Sequence, residues 1–360
     1  MFIVGVFCFL PKGKVNFQKN KTPFLVVSFI AIIFVLGMRN ETVGVDTKSY
    51  YAIFNKVSEI PFSEILKSYY YLYIEVGYIL LMKIVSFFGN YYLFQIVIAF
   101  IACVLFAKFI YDNMYNYYFA VILFLGFDMF LFLANISRQM LAVALIANSW
   151  SCLNHEKKIK ALIYFIIAGF IHTTAWLFVV IYFVHLIKNN RFIIRLLPVM
   201  GVIILFSYKR ILNIMASIVP HYANYYGNKK TLLEAGFSTI IWILIVIISV
   251  ILIVLNSKMS NQGVILSERK KMLSWTAETY LYATFSIFYV ISNIIGLSFN
   301  YFERLGCYFA PFVMITFERF GMQIRNVILR RLYYCAVVIC FSIYFILSTK
   351  TKQYLYSFFW

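Results

Sequence analysis

An all-helical protein that crosses a membrane many times is the fold class this sequence predicts, and three observations predict it. Of the 360 residues, 63% are hydrophobic and 12% are charged, where a soluble globule carries roughly 25% charged residues. Apolar runs recur along the whole chain with no soluble stretch between them, so residues 1–360 read as a single integral membrane domain. The Lys and Arg residues behind the net charge of +19 gather in short clusters between those runs. That is the pattern of cytoplasmic loops facing anionic lipid, not of a nucleic-acid surface. Membrane lipid is therefore an expected partner and nucleic acid is not.

Residues 1–10 are apolar but lack a basic leader and a small-residue cleavage site, so they read as part of a first span. Lys12, Lys14, Lys19 and Lys21 put the next loop in the cytoplasm, and a span at 23–38 delivers Arg39 outside. Residues 39–90 form the first extracytoplasmic region. In it Glu41, Asp46, Glu59, Glu64 and Glu75 nearly balance Arg39, Lys48, Lys56 and Lys67, as fits a side without demand for positive charge. Residues 76–88 are too short to span and carry Lys83 at their middle, which predicts an amphipathic helix lying in the outer interface. Residues 91–107 run inward to Lys108. Residues 117–134 run outward and include Asp128, whose partner is either a local hydrogen bond or a basic residue. Arg138 thus emerges outside, and 139–153 return to the basic cluster at 155–160.

Residues 161–187 lie between that cluster and Lys188, Arg191 and Arg195, so both ends are cytoplasmic and one straight helix is excluded. Two short helices turning at His172, Thr173 and Thr174 satisfy this, with the turn buried in protein or facing a watery cavity. Residues 196–207 exit, and 208–236 form the second extracytoplasmic loop. Residues 237–255 re-enter to Lys258, Arg269, Lys270 and Lys271, and 279–297 exit again. Residues 305–317 lead to Arg319, Arg325, Arg330 and Arg331, which mark the cytoplasm, and 332–347 are the last span. The sum is about 11–12 transmembrane helices.

On this topology Arg39, Asp46, Glu75, Arg138, His172, His221 and Arg304 converge on the outer side from separate parts of the chain. An arginine at membrane depth costs at least ~2.5 kcal/mol and needs a partner, unless it snorkels to the headgroups. Arg138, Arg304 and the stretch behind Thr173 each open an inward-running helix, and helix N-termini suit phosphate oxygens. Guanidinium groups add bidentate donors, so Arg39, Arg138, Gln139 and Arg304 are the candidate pyrophosphate ligands. Asp46, Glu75 and His172 are the candidate catalytic residues. Asp46 is preferred as base because it sits in an outer loop beside Arg39, although Asp46 and Glu75 also suit helix N-caps and His172 a buried core position. His221, Tyr222, Tyr225 and Tyr226 are candidates for stacking on sugars, while tyrosine tracts also form interfacial belts. The six cysteines show no CxxC spacing and read as core residues, so neither a metal site nor a disulfide framework is expected. No nucleotide-binding motif is present, and no cofactor is expected.

Arg39 with Val43-Gly44-Val45-Asp46 and Tyr50 opens an ordered set of motifs. Glu75-Val76-Gly77-Tyr78, Asn135-Ile136-Ser137-Arg138-Gln139, Ile171-His172-Thr173 and Arg304-Leu305-Gly306-Cys307-Tyr308 follow, covering nearly the whole chain. The set resembles the EpsG family, which includes Wzy-type polymerases of bacterial O antigen, capsule and exopolysaccharide. The resemblance implies a GT-C-like glycosyltransferase architecture in the cytoplasmic membrane, with the active site facing the periplasm or cell exterior and an acidic residue at the Asp46 position. It implies an undecaprenyl-pyrophosphate-linked oligosaccharide as substrate and a chain-length regulator as a further partner. The reaction so implied moves a glycan from undecaprenyl pyrophosphate to a lipid-linked repeat unit. The alternatives are a lipid-linked glycan flippase, or an O-antigen ligase or acyltransferase. A flippase should show internal repeats and charges along its path, whereas here no repeat is found and the charges sit on one side.

Overall fold

The structure, a computed structural model, describes residues 21–65, 67, 72, 74–188, 190–218, 236–258, 266–351 and 357–359. His221, Tyr222, Tyr225 and Tyr226 lie outside the described residues, as does the apolar N-terminal stretch. The chain forms two compact units, Met1–Val180 with Arg331–Trp360, and Ile181–Arg330. In chain order the helices are α1 (Lys21–Gly37), α2 (Thr47–Glu59), α3 (Val76–Ser86), α4 (Tyr91–Asn113), α5 (Tyr117–Gly126), α6 (Met129–Asn135), α7 (Ser137–Asn154) and α8 (Lys158–Ile171). After a 3-10 helix at Thr173–Val179 come α9 (Val180–Ile187), α10 (Arg191–Ile218), α11 (Phe237–Lys258), α12 (Leu266–Gly296), α13 (Asn300–Gly306), α14 (Ala310–Gln323) and α15 (Val327–Thr351). Among the described residues the only β-pairing is an isolated bridge between Arg39 and Phe358.

Helix α7 is the axis of the first unit. Every residue from Ser137 to Leu153 except Arg138 is buried, and α4 and α8 pack along it. Ala142, Ala144 and Ala147 permit that close approach. Its polar residues are satisfied within the protein: the Asn148 side-chain amide donates to the carbonyls of Leu105 and Ala144, each at 2.8 Å. The Ser149 hydroxyl donates to Ala161 O at 2.8 Å. Asn90 starts α4 by accepting from the N–H groups of Tyr92 and Leu93, and Asn116 starts α5 by accepting from Phe119 N–H.

Among the described residues, Tyr91–Asn113, Phe192–Arg210, Phe237–Asn256, Ala277–Gly296 and Val327–Thr349 are long and apolar enough to cross a membrane. They coincide with predicted runs. A sixth would join α5 and α6, which meet at a 51° bend. Several of the other predicted crossings fall on shorter or more polar helices, with 17 residues in α1, 18 in α7 and 14 each in α8 and α14. A helix enclosed by protein, as α7 is, needs no apolar outer surface, which separates hydropathy from depth. The predicted interfacial segment is α3, whose 11 residues extend about 16 Å, half a bilayer core. Its Lys83 lies on no watery face: it is buried, donates to Ser58 O at 2.9 Å and so meets the negative end of α2.

The expected continuous span at 117–134 is broken. Asp128 takes a left-handed conformation with φ +56°, and its carboxylate accepts from the hydroxyls of Tyr344 and Ser348 on α15, both at 3.0 Å. Those bonds offset the cost of a left-handed non-glycine residue. Cys103, Cys152 and Cys307 are buried free thiols, while Cys335 is exposed and so departs from the expected core position.

In the second unit α10, α11, α13 and α14 pack on α12. Arg319, read from the sequence as one of the arginines that mark the cytoplasm, is buried within α14. It pairs with Glu278 at 3.1 Å, donates to the Thr279 hydroxyl at 2.7 Å and lies over the Tyr282 ring. The partners are some forty positions earlier in the chain, and local charge counting does not see them.

Candidate active site

Glu75 is the hub of the site. It occupies the N-cap position of α3 but makes no cap hydrogen bond with its side chain, so the capping role that its position allows is not used. Instead Arg138, second residue of α7, donates from Nη1 to Glu75 Oε2 at 2.6 Å. The other carboxylate oxygen lies 3.0 Å from His172 Nδ1 and accepts from both the N–H and the hydroxyl of Thr173, each at 2.9 Å. A carboxylate can only accept here, so Nδ1 carries the imidazole proton and Nε2 is left as the basic nitrogen. Burial pushes the Glu75 carboxyl up, but the His172 hydrogen bond, the Arg138 charge and Thr173 N–H outweigh it and hold it at about 2. Side-chain exposures of 12% for Glu75, 18% for Arg138 and 14% for His172 make this a charged cluster largely withdrawn from water.

Three backbone devices bring the cluster together. The chain turns after α8 at His172, and the 3-10 helix folds back so that the Trp176 ring covers Gly169, as the predicted break requires. Gly77 lets α3 lie on α8, because a Cβ there would stand 2.7 Å from Phe170 O. Gly44, at φ +109°, lets the loop before α2 touch the end of α6, because a Cβ would clash with Ala134 O. Asn135 secures that loop, its side-chain oxygen accepting from Val45 N–H at 3.1 Å and its carbonyl from Asp46 N–H at 3.3 Å.

Asp46 is thereby placed at the same end of the unit as Arg138. It stands half-exposed at the N-cap of α2 without a side-chain cap bond, so a capping role is not observed for it either. Arg39 lies deeper, at 3% exposure. It bonds to Leu36 O and shares a small internal cavity of about 10 Å³ with Tyr78 and Ser137. Gln95 fixes the Arg39 backbone by donating to its carbonyl at 2.7 Å. Behind the cluster Tyr78 packs edge-on to Phe94 and against Tyr50, with ring centroids 5.4 and 5.6 Å apart. The segment 357–359 closes this end: Asn40 N–H donates to Ser357 O at 2.8 Å and Phe359 N–H to Met38 O at 3.1 Å. Phe359 stacks on Tyr92, whose hydroxyl donates to Glu41 at 2.5 Å.

Of the predicted residues, the structure joins Glu75, Arg138 and His172 in direct contact and holds Asp46 and Arg39 nearby. Gln139 is buried in α7 at 2% exposure. Arg304 belongs to the second unit and sits in the last turn of α13, so it does not open the next helix, α14, as expected. Sequence reasoning missed the double contact of Thr173 and the tether through Asn135. Both were visible only as polar residues interrupting apolar runs. At the far end of α4 and α7, where Asn113 donates to the Ser151 hydroxyl at 3.0 Å, stand Lys108, Lys157 and Lys160. The sequence model of the EpsG family matches residues 23–360. No curated protein and no solved structure matches the chain significantly.

Proposed function

The chain belongs to the EpsG family, which is associated with polysaccharide polymerases, and from that premise we propose that it is a glycosyltransferase polymerising a surface polysaccharide such as O antigen, capsule or exopolysaccharide. In this reading a glycan on undecaprenyl pyrophosphate is transferred to the non-reducing end of a second lipid-linked repeat unit. The basic Lys108–Lys160 end faces the cytoplasm by the positive-inside rule, and the Glu75 cluster faces outward. The observation that carries the reading is the contact of Glu75 with Arg138, His172 and Thr173, drawn from three distant segments.

Its chemistry follows from the geometry. An acceptor hydroxyl forms a bond to the donor C1 while the C1–O bond to pyrophosphate breaks. The hydroxyl proton goes to His172 Nε2, and the imidazolium so formed is stabilised by Glu75, which fixes the ring through Nδ1. This moves the base role from Asp46, preferred on sequence, to His172; a Glu75 carboxyl held at about 2 is itself too weak a base. The Arg138 donors not used by Glu75 meet the charge developing on the departing pyrophosphate. Buried Arg39 supports the loop from beneath instead of gripping the ligand.

The test is complementation of a deletion strain, read as chain length of the surface polysaccharide on a gel. Restored ladders with wild type and single capped repeat units with Glu75→Gln at equal membrane level support the polymerase. Accumulation of untranslocated precursor in the deletion strain would identify a flippase, and full-length polymer left on the lipid carrier would identify a ligase.

A further inference from the structure

The end of the first unit remote from Glu75 contains a cavity of about 170 Å³. Lys108, Lys157, Lys160, His155, Tyr164 and Asp112 line it. Lys108 is held by Asp112, so Lys157 and Lys160, both exposed, border a space whose lining offers no second carboxylate. Their position is itself unfavourable. Both stand at the start of α8, whose first turn holds no acid and whose N-cap residue, Lys157, makes no side-chain cap bond. Positive side chains therefore sit on the positive end of a helix. His155 adds to the wall with Nδ1 2.7 Å from Ser151 O, which fixes its proton there and leaves Nε2 for another partner.

Helix α8 continues from this cavity as an apolar surface. Ile163, Ile167 and Phe170 follow Lys160 at helical spacing and are all exposed, forming a stripe that runs from the cavity along the helix. A cationic hollow and an exposed apolar stripe on one helix match a molecule with a phosphate at one end and hydrocarbon at the other. We propose that the cavity holds the phosphate of an anionic phospholipid whose acyl chains lie along the α8 stripe. The bound phosphate compensates Lys157 and Lys160, accepts from the α8 N–H groups and so stabilises the start of the helix that delivers His172 at its other end.

The full-length protein, purified in detergent, is incubated with phosphatidylglycerol, with phosphatidylcholine, or with inorganic phosphate alone, and bound molecules are measured by native mass spectrometry. Phosphatidylglycerol should be retained and phosphatidylcholine should not. At about 1 kcal/mol per lysine, Lys157→Gln and Lys160→Gln should each bind phosphatidylglycerol about fivefold more weakly, and the double variant about thirtyfold. Lys158→Gln removes the same charge one residue away but does not line the cavity, and should bind as wild type. Equal retention of the two lipids, or equal loss with Lys158→Gln, overturns the site. Direct binding of inorganic phosphate that displaces phosphatidylglycerol overturns the lipid as its occupant. Persistence of the lipid in millimolar phosphate supports it.

Discussion

Replacing Glu75 by glutamine preserves the shape of the side chain while removing the charge that holds Arg138, His172 and Thr173 together. The carboxyl moves from an ordinary 4.5 to about 2 on folding, which corresponds to ~3 kcal/mol of stabilisation of the ionised form. A depressed carboxyl contributes that stability at every pH above its unfolded value of 4.5 and loses it as the pH falls through its folded value. Glu75→Gln should therefore lower stability by ~3 kcal/mol at pH 7, with Arg138 left as a half-buried charge lacking its counterion. The gap should hold down to about pH 5 and narrow from there toward pH 2, where the wild-type carboxyl takes up a proton itself. The assay is thermal unfolding of detergent-purified protein, followed by size-exclusion recovery after heating, at a series of pH values from 7 to 3. Equal stability of variant and wild type at pH 7, or a gap that does not change between pH 5 and pH 3, would refute the argument.

Other outcomes follow from the same geometry. His172→Asn keeps an N–H toward Glu75 but removes Nε2, so it should retain thermal stability while polymer is lost; Asp46→Asn should be milder, and the reverse order of severity returns the base role to Asp46. Arg138→Lys keeps charge but not the fork and should shorten the polysaccharide severely, whereas normal ladders would reduce Arg138 to an interfacial anchor. Gly44→Ala forces a Cβ into Ala134 O at a positive φ and should destabilise by ~1–3 kcal/mol, seen as loss of monodisperse protein. Single cysteines at Asp46 and Lys158 should react with an impermeant maleimide from outside and only after permeabilisation, respectively; labelling of position 158 in intact cells would invert the orientation.

The fold class and the order of elements were legible because apolar run length and Lys/Arg placement act locally along the chain. Even the non-obvious break at His172 could be inferred, since basic clusters flank 161–187 on both sides. The break at Asp128 could not, because its cause is two hydroxyls more than two hundred residues away on α15. Similarly, Lys83 looked like the polar face of an interfacial helix until α2 supplied the carbonyl it meets. For the site, Glu75, Arg138 and His172 were found as isolated oddities, charged or titratable groups in apolar surroundings. Their mutual contact depends on Gly77 and Gly44, where the informative feature is a missing side chain. The multiple bonding of Glu75 follows from burial and from partners distant in the chain, neither of which is written in sequence.

The pairing of Met38 and Asn40 with Ser357 and Phe359 sets an order of events during synthesis. Residues 38–40 are synthesised about three hundred residues before the segment they pair with. The loop bearing Arg39 and Asp46 therefore waits at the membrane, without its closing partner, while almost all of the remaining helices are inserted. Only a chain translated through Phe359, with α15 inserted so that 357–359 lie at the Arg39 end, locks that loop. A chain in which α15 is wrongly inserted leaves that loop unpaired. The Arg39 end thus closes only after the helices between the two segments are in place.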